Sequence, residues 1–231
     1  MSQPVGKKKN INWTAETIVY YMVTRDITIE TWLDNCDWVR TEQLGLADVA
    51  IFPGGEDVTP GLYGEQAIKE TNYTYLRCRR EFKTYHEIPA WMPKIGICRG
   101  SQFLNVMAGG KLWQHVNDHA CGTHVAYDKI NERAIEVTST HHQMMIPAHD
   151  AQILCVAARA TKFKNDKYTI TKKPTEKGED IEVLWYDNER ILCFQPHPEY
   201  GNKECEKLFW SYFRVYVKPH IVMDEVGVWC N

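Results

Sequence analysis

The sequence has no long apolar run. Nowhere in its 231 residues does a stretch approach the roughly 20 apolar residues of a membrane-spanning helix, so no membrane partner is expected. Charge of one sign is also scarce: 27 Lys and Arg against 30 Asp and Glu leave a net charge of −3. That gives no electrostatic case for nucleic acid. A short-spaced cysteine framework is missing, because Cys36, Cys78, Cys98, Cys121, Cys155, Cys193, Cys205 and Cys230 are scattered. The opening MSQPVGKKKN is basic, but no apolar run follows it, so it does not read as a secretory leader. Reduced thiols and a cytoplasmic setting are the expectation, with residues 1–10 as a frayed, solvated tail. Internal repeats, low-complexity segments and a dividing linker are absent too, which favours one domain over 1–231. What is present is an ordinary globular balance, 44% hydrophobic and 25% charged, enough for a sizeable core.

The first half alternates strand and helix signals. TIVYYMV (17–23) and ADVAIF (47–52) are short and rich in β-branched and apolar residues. Residues 27–45 read as a helix closed by Gly45. Residues 73–88 read as an amphipathic helix carrying Leu76, Phe82 and Tyr85. KIGIC reads as a buried strand followed by a helix that stops at Gly109–Gly110. This alternation predicts an α/β fold, a mainly parallel sheet with helices on both faces. In the second half, 134–139, 151–158 and 168–173 look like short strands, and 181–197 like an antiparallel hairpin turning at DNER. TEKGED, around Gly178, reads as a loop.

Open parallel sheets bind ligands at the carboxyl ends of their strands. Three chemically loaded turns fall at such ends: Pro53-Gly54-Gly55, Cys98, and His197-Pro198-Glu199. In GICRG the cysteine has a glycine two residues away on each side, the cysteine form of a nucleophile elbow. A thiol at the first turn of a helix is favoured as thiolate. His197 supplies a general base, Glu199 an orienting carboxylate, and the backbone N–H groups of Arg99 and of Gly54 or Gly55 an oxyanion hole. Taken singly, each is more often a buried cysteine, a structural histidine, a surface charge or a turn. Together, at three strand ends, they predict a site.

PGGEDVTPGLYGE, IGICRGSQFLNVMAGGKLWQ, STHHQ and FQPHPE, in that order over residues 47–200, resemble the class I glutamine amidotransferase superfamily. The likeness is closest to its γ-glutamyl hydrolase branch, which includes the γ-glutamyl-γ-aminobutyrate hydrolases. ICRG-x-Q and HHQ resemble the hydrolases; ammonia-supplying glutaminase subunits more often carry leucine or tyrosine where Arg99 stands. The resemblance implies a flavodoxin-like three-layer sandwich, a Cys98–His197–Glu199 triad and a thioester γ-glutamyl intermediate. It implies that Gln102 lies in the pocket and helps bind the glutamyl group, and suggests that His142 and Gln143 line the same pocket, the alternative being that STHHQ is a polar loop packed nearby. No cofactor is expected. The sequence departs from the pattern at Pro196, where the family usually has an aromatic residue. It is also short for the family over 24–46, and 218–231 matches nothing assignable.

HVNDHACGTH gathers His115, His119, Cys121 and His124, all zinc-type ligands. Their spacing fits no familiar finger, so no metal is expected. Three function classes follow. One is a stand-alone hydrolase of a small γ-glutamyl substrate. Another is a glutaminase subunit feeding ammonia to a synthetase partner. The third is a non-catalytic binding module. A homo-oligomer is compatible with each.

Overall fold

The computed structural model describes residues 17–157, 161–164, 169–172 and 180–221. In chain order the elements are β1 (Val19–Met22), α1 (Ile27–Asp34), β2 (Val39–Thr41), β3 (Val49–Phe52), α2 (Tyr75–Glu87), β4 (Lys94–Ile97), α3 (Arg99–Met107), β5 (Lys111–Trp113), β6 (His115–Val116), β7 (Ala120–Asp128), β8 (Arg133–Thr140), β9 (Met144–Ile146), β10 (Gln152–Ala157), β11 (Thr161–Lys164), β12 (Thr169–Lys172), β13 (Asp180–Tyr186), β14 (Ile191–Phe194) and α4 (Lys203–Tyr212). Among them no helix is long and apolar enough to cross a membrane.

Nine strands form one sheet, ordered β2-β1-β3-β4-β14-β13-β10-β7-β8. From β2 to β14 neighbours run parallel; from β14 to β8 they run antiparallel. The expected hairpin is β13–β14, with Arg190 N–H closing onto Asp187 O at 3.2 Å. Its antiparallel pairing continues through β10, β7 and β8. Period-two alternation divides the strand side chains between two cores. Val49 and Ile51 face one core with Ile29, Leu33, Leu208 and Phe209 of α1 and α4. Ala50 and Phe52 face the other with Phe103 and Leu104 of α3. Helices thus cover both faces, the three layers expected.

Two expectations need correcting. The helix over 27–45 ends at Asp34. Asp26 caps its start, accepting from the N–H groups of Thr28 and Ile29. Beyond it Asp37 turns left-handed at φ 62°. Trp38 then buries against Tyr20, Trp210 and Phe213, which directs Val39–Thr41 into an edge strand. Helix α2 exists as expected but is rotated about its axis: Leu76 is 60% exposed and Phe82 40%, while Cys78 and Glu81 are buried. The loop expected around Gly178, the frayed tail 1–10 and all of the C-terminal tail beyond residue 221 lie outside the described residues; 218–221 are helical.

Register aligns the site. Phe52 pairs with Gly96, and Ile97 with Phe194. The carboxyl ends of β3, β4 and β14 therefore lie side by side at one sheet edge, and the segments carrying Gly54, Cys98 and His197 leave from it together.

Candidate active site

Cys98 stands between β4 and α3 at φ 50°, ψ −111°, a left-handed backbone that a residue with a Cβ rarely adopts. The flanking glycines make the turn possible. A Cβ on Gly96 would lie 2.5 Å from Gly100 C and O and from Ser101 N; a Cβ on Gly100 would lie 1.9 Å from Phe52 O. Strand, helix and neighbouring strand are in backbone contact, so the sulfur is held over the first turn of α3. There the amides of Ser101 and Gln102 close onto Cys98 O at 3.0 and 3.3 Å. The amide of Arg99, at the first helical position, has no acceptor one turn earlier.

His197 stands beside Cys98, near enough for Cys98 to raise the hold of the imidazole on its proton. Its Nδ1 lies 2.6 Å from Glu199 Oε1. Burial alone lowers the pKa of His197, but the hydrogen bonds to Cys98 and Glu199 and their charges outweigh it and hold the imidazole up at about 10. The backbone is clamped as well: His197 N–H donates to Thr138 Oγ1 at 2.6 Å, and that hydroxyl reaches His197 O at 3.1 Å. Tyr200 stacks flat on the imidazole, 4.2 Å between centroids and 3° between planes. Cys98 and His197 are both buried, at 7% and 6% exposed.

Gly54 closes the group. A Cβ there would sit 3.1 Å from His197 Cε1 and 3.8 Å from Cys98 Cβ. Gly55, at φ 140°, passes so close to Arg77 that a Cβ would meet its guanidinium. Arg77 Nη2 donates to the carbonyls of Gly54 (2.7 Å) and Pro53 (3.3 Å), and Nη1 to Glu56 Oε2 (2.7 Å). In a trans peptide C=O and N–H point oppositely. Holding those carbonyls toward Arg77 therefore turns the N–H groups of Gly54 and Gly55 to the other side of the loop, an arrangement that can receive an oxyanion.

The Arg99 side chain points away into the protein. Its Nη1 pairs with Glu81 Oε2, its Nε donates to Glu56 O at 3.1 Å, and Nη2 reaches Cys78 Sγ at 3.0 Å. Burial pulls its pKa down to about 10. Glu81 also takes Arg77 Nε at 2.9 Å. One buried carboxylate thus ties the helix behind the thiol to the glycine loop in front of it. Glu81→Ala leaves the buried Arg99 guanidinium without a carboxylate, while Arg77 keeps Glu56, and is expected to cost about 3–5 kcal/mol, read as a fall in the urea midpoint; a loss under about 1 kcal/mol by that measurement would remove this anchor.

The three residues expected to bind substrate separate into two environments. Gln102 Nε2 contacts Gln195 Oε1 (3.1 Å) and Gln143 O (3.3 Å), and both Gln102 and Gln143 are buried beside the strand ends. His142, the residue before Gln143, is half-exposed and binds Asp57 Oδ1 through Nε2 at 2.9 Å, with Nδ1 3.3 Å from His115. The bond to Asp57 raises its pKa. Sequence reasoning missed Thr138, Gln195 and Tyr200, although all three lie in or beside the segments STHHQ and FQPHPE. It also missed the anchors Arg77 and Glu81, whose i,i+4 spacing was the available signal.

Known proteins resemble this chain in sequence and in fold. A stretch of 76 residues is 41% identical to "Putative glutamine amidotransferase-like protein YvdE" of Lactococcus lactis subsp. lactis (strain IL1403), covering 32% of this chain and 32% of that one. A longer stretch, 124 residues at 27% identity, matches 53% of this chain and 29% of the carbamoyl phosphate synthase small chain of Helicobacter pylori. The matches thus span about a third of these relatives' lengths. In fold, a "putative gmp synthase subunit a protein" of Thermoplasma acidophilum superposes with a TM-score of 0.63 at 14% identity, covering 91% of this chain and 100% of that one. The Peptidase C26 family model matches residues 26–199, from the cap of α1 to Glu199. The chain therefore belongs to the peptidase C26 family, the class I glutamine amidotransferase-like enzymes.

Proposed function

We propose that this chain is a cysteine hydrolase that cleaves the γ-glutamyl amide bond of glutamine or of a γ-glutamyl amine. The observation that carries this is Cys98 at a strained turn beside His197, whose Nδ1 lies 2.6 Å from Glu199 Oε1, with both neighbours raising the His197 pKa. The Cys98 thiolate adds to the γ-carbonyl carbon, forming a C–S bond and placing the negative charge on oxygen, where the amides of Arg99 and of Gly54 or Gly55 receive it. The His197 imidazolium gives its proton to the amide nitrogen as the C–N bond breaks and the amine leaves. Water then enters. His197, now neutral, takes a proton from it, the resulting hydroxide adds to the thioester, and C–S cleavage returns thiolate and glutamate. Net, one amide and one water give one carboxylate and one protonated amine. Gln102 and Gln143 are proposed to bind the glutamyl end, and His142 to stand at its rim. Each of the seven described cysteines is a free thiol, which supports a reducing, cytoplasmic setting.

A second reading, an ammonia-supplying subunit, is favoured by the likeness to a carbamoyl phosphate synthase small chain and a GMP synthase subunit. Arg99 favours the hydrolase. A purely binding role leaves the paired imidazole and carboxylate without a task. The test is to incubate the protein with glutamine and a panel of γ-glutamyl amides and to trap the acyl-enzyme by intact mass. Turnover of a larger amide by the chain alone supports the hydrolase. Turnover of glutamine only with a partner present supports the second reading. No adduct with any of these compounds overturns both.

Glu199→Gln keeps a hydrogen-bond acceptor near Nδ1 but removes the charge that stabilises the imidazolium. Its expected effect is a fall in kcat of about 10- to 10³-fold with KM little changed. A wild-type kcat in steady-state assays would remove Glu199 from the mechanism.

A further inference from the structure

A second cluster of chemistry, which the hydrolytic site does not use, gathers around β13 and the segments flanking β7 and β8. Glu182 of β13 is fully buried, and three imidazole nitrogens converge on its carboxylate: His124 Nε2 at 3.0 Å, His119 Nδ1 at 3.4 Å and His141 Nε2 at 3.8 Å. Ligand atoms of His119, His124 and Glu182 all lie within 4.8 Å of one another. We propose that these four side chains form a divalent metal site, with zinc as the ion it fits.

Hydrogen bonding alone does not account for the arrangement. His124 is buried, and neither of its nitrogens makes an aligned hydrogen bond; nor does either oxygen of Glu182 or Nε2 of His141. Groups this deep are almost always satisfied, and here they point at one another.

The outer partners fix which nitrogens face inward. His141 Nδ1 lies 2.8 Å from the carbonyl oxygen of Gln143. A carbonyl only accepts, so Nδ1 carries the hydrogen and the neutral ring offers a lone pair at Nε2, toward the carboxylate. His119 sets its Nε2 2.7 Å from Asp180 Oδ2, leaving Nδ1 turned to Glu182. An imidazole oriented by a carboxylate or carbonyl on its far nitrogen is the usual second shell of a metal-bound histidine.

The distances agree. At zinc–ligand lengths of about 2.0–2.1 Å, the edge of a tetrahedron is about 3.3–3.4 Å; His124 Nε2 and His119 Nδ1 lie 3.0 and 3.4 Å from Glu182 Oε1, and His141 Nε2 lies 3.8 Å from Oε2. Three histidines and a carboxylate fill four positions, so the site is structural. It pins β7 and the residue before it, the turn after β8, and β13 together. Next to it, Ser139 Oγ donates to His119 O, and Thr138 holds the His197 backbone. Of the four ligands suggested by HVNDHACGTH, the fold recruits His119 and His124. It leaves Cys121 exposed and sends His115 to His142.

The experiment is metal analysis of the full chain as purified, by mass spectrometry of the elements, and again after dialysis against zinc. About one zinc per chain is expected. Cys98→Ala, His115→Ala and Cys121→Ser should keep it, and His124→Ala and Glu182→Gln should lose it. Because a ligand variant can fail to fold, the wild type supplies a second readout: stripped protein refilled with cobalt(II) should show the visible absorption of tetrahedral cobalt, and zinc should raise its Tm. A wild type that holds no divalent metal before or after dialysis and whose Tm zinc does not move overturns the proposal. In that case the imidazoles share protons with Glu182 instead. Zinc lost in Cys98→Ala or His115→Ala, but kept in His124→Ala, overturns it too. None of these outcomes depends on whether the chain hydrolyses an amide.

Discussion

Cys98→Ala is expected to abolish turnover of every γ-glutamyl amide, by about 10⁴-fold or more in kcat, while leaving the fold in place. The loss follows from the chemistry proposed: with no sulfur there is no acyl-enzyme, and the remaining donors can only assist water, which supplies a small residual rate. The fold survives because alanine keeps the Cβ already accommodated at φ 50° and removes a single atom. His197→Asn is expected to fall as far, since it removes both the proton donor and the later base. The two variants can be told apart by titration. In Cys98→Ala the imidazole loses its hydrogen bond and charge partner, while Glu199 stays 2.6 Å away. Its pKa must therefore drop below about 10, followed by NMR of the ring protons. The sign has a consequence for stability. A histidine raised in the folded state contributes stability fully below its ordinary pKa near 6.5, and loses it as pH rises through about 10. The parent should weaken over that window more than the variant does. Parental turnover in either variant, or an unmoved His197 titration in Cys98→Ala, would break the link between sulfur and imidazole.

The parts of the fold that could be read from residues alone are those where local pattern and burial agree. KIGIC followed by RGSQFLNVM gives β4 and α3 because a continuous apolar run meets glycines that permit a backbone crossing. His197 and Glu199 were readable as a pair because two residues of extended chain and a 3₁₀ turn bring Nδ1 to the carboxylate. The failures share one cause, polar groups used as interior. In β7 the inward positions are His124, Ala126 and Asp128, whereas Val125 is 59% exposed. The period-two signal there is inverted, and the segment does not look like a strand. In α2 the inward face holds Arg77, Cys78 and Glu81 while Leu76 and Phe82 face out. A hydrophobic-face argument therefore orients the helix wrongly. Only partners far along the chain, Gly54, Glu56 and Arg99 for α2 and Glu182 and Tyr212 for β7, make those buried polar residues stable.

Gly100→Ala is expected to be the most damaging single-methyl change outside the reacting groups. Helix propensity alone favours alanine there by about 1 kcal/mol, because position 100 lies in the first turn of α3. Contact reverses the sign. The added Cβ would stand 1.9 Å from the carbonyl oxygen of Phe52 and 2.5 Å from its carbon, and these are backbone atoms of a central strand paired on both sides. Neither can move aside as a side chain does. The helix must lift from β3, opening the layer in which Phe52 and Phe103 stack at 5.5 Å. The expected cost is about 3–5 kcal/mol, seen as a large fall in the denaturant midpoint or as failure to accumulate folded protein. Gly45→Ala is the matched control, since nothing lies within 4 Å of its Cβ, and it should stay within about 1 kcal/mol of the parent. The same displacement has a chemical signature. Phe52 leads directly into Pro53, Gly54 and Gly55, so forcing α3 off β3 moves the thiol away from the amides proposed to receive the oxyanion. Any folded Gly100→Ala protein should therefore lose kcat far more than it raises KM. Gly45 and Gly100 variants of equal stability would show that the close approach of α3 to β3, on which the placement of Cys98 rests, does not exist.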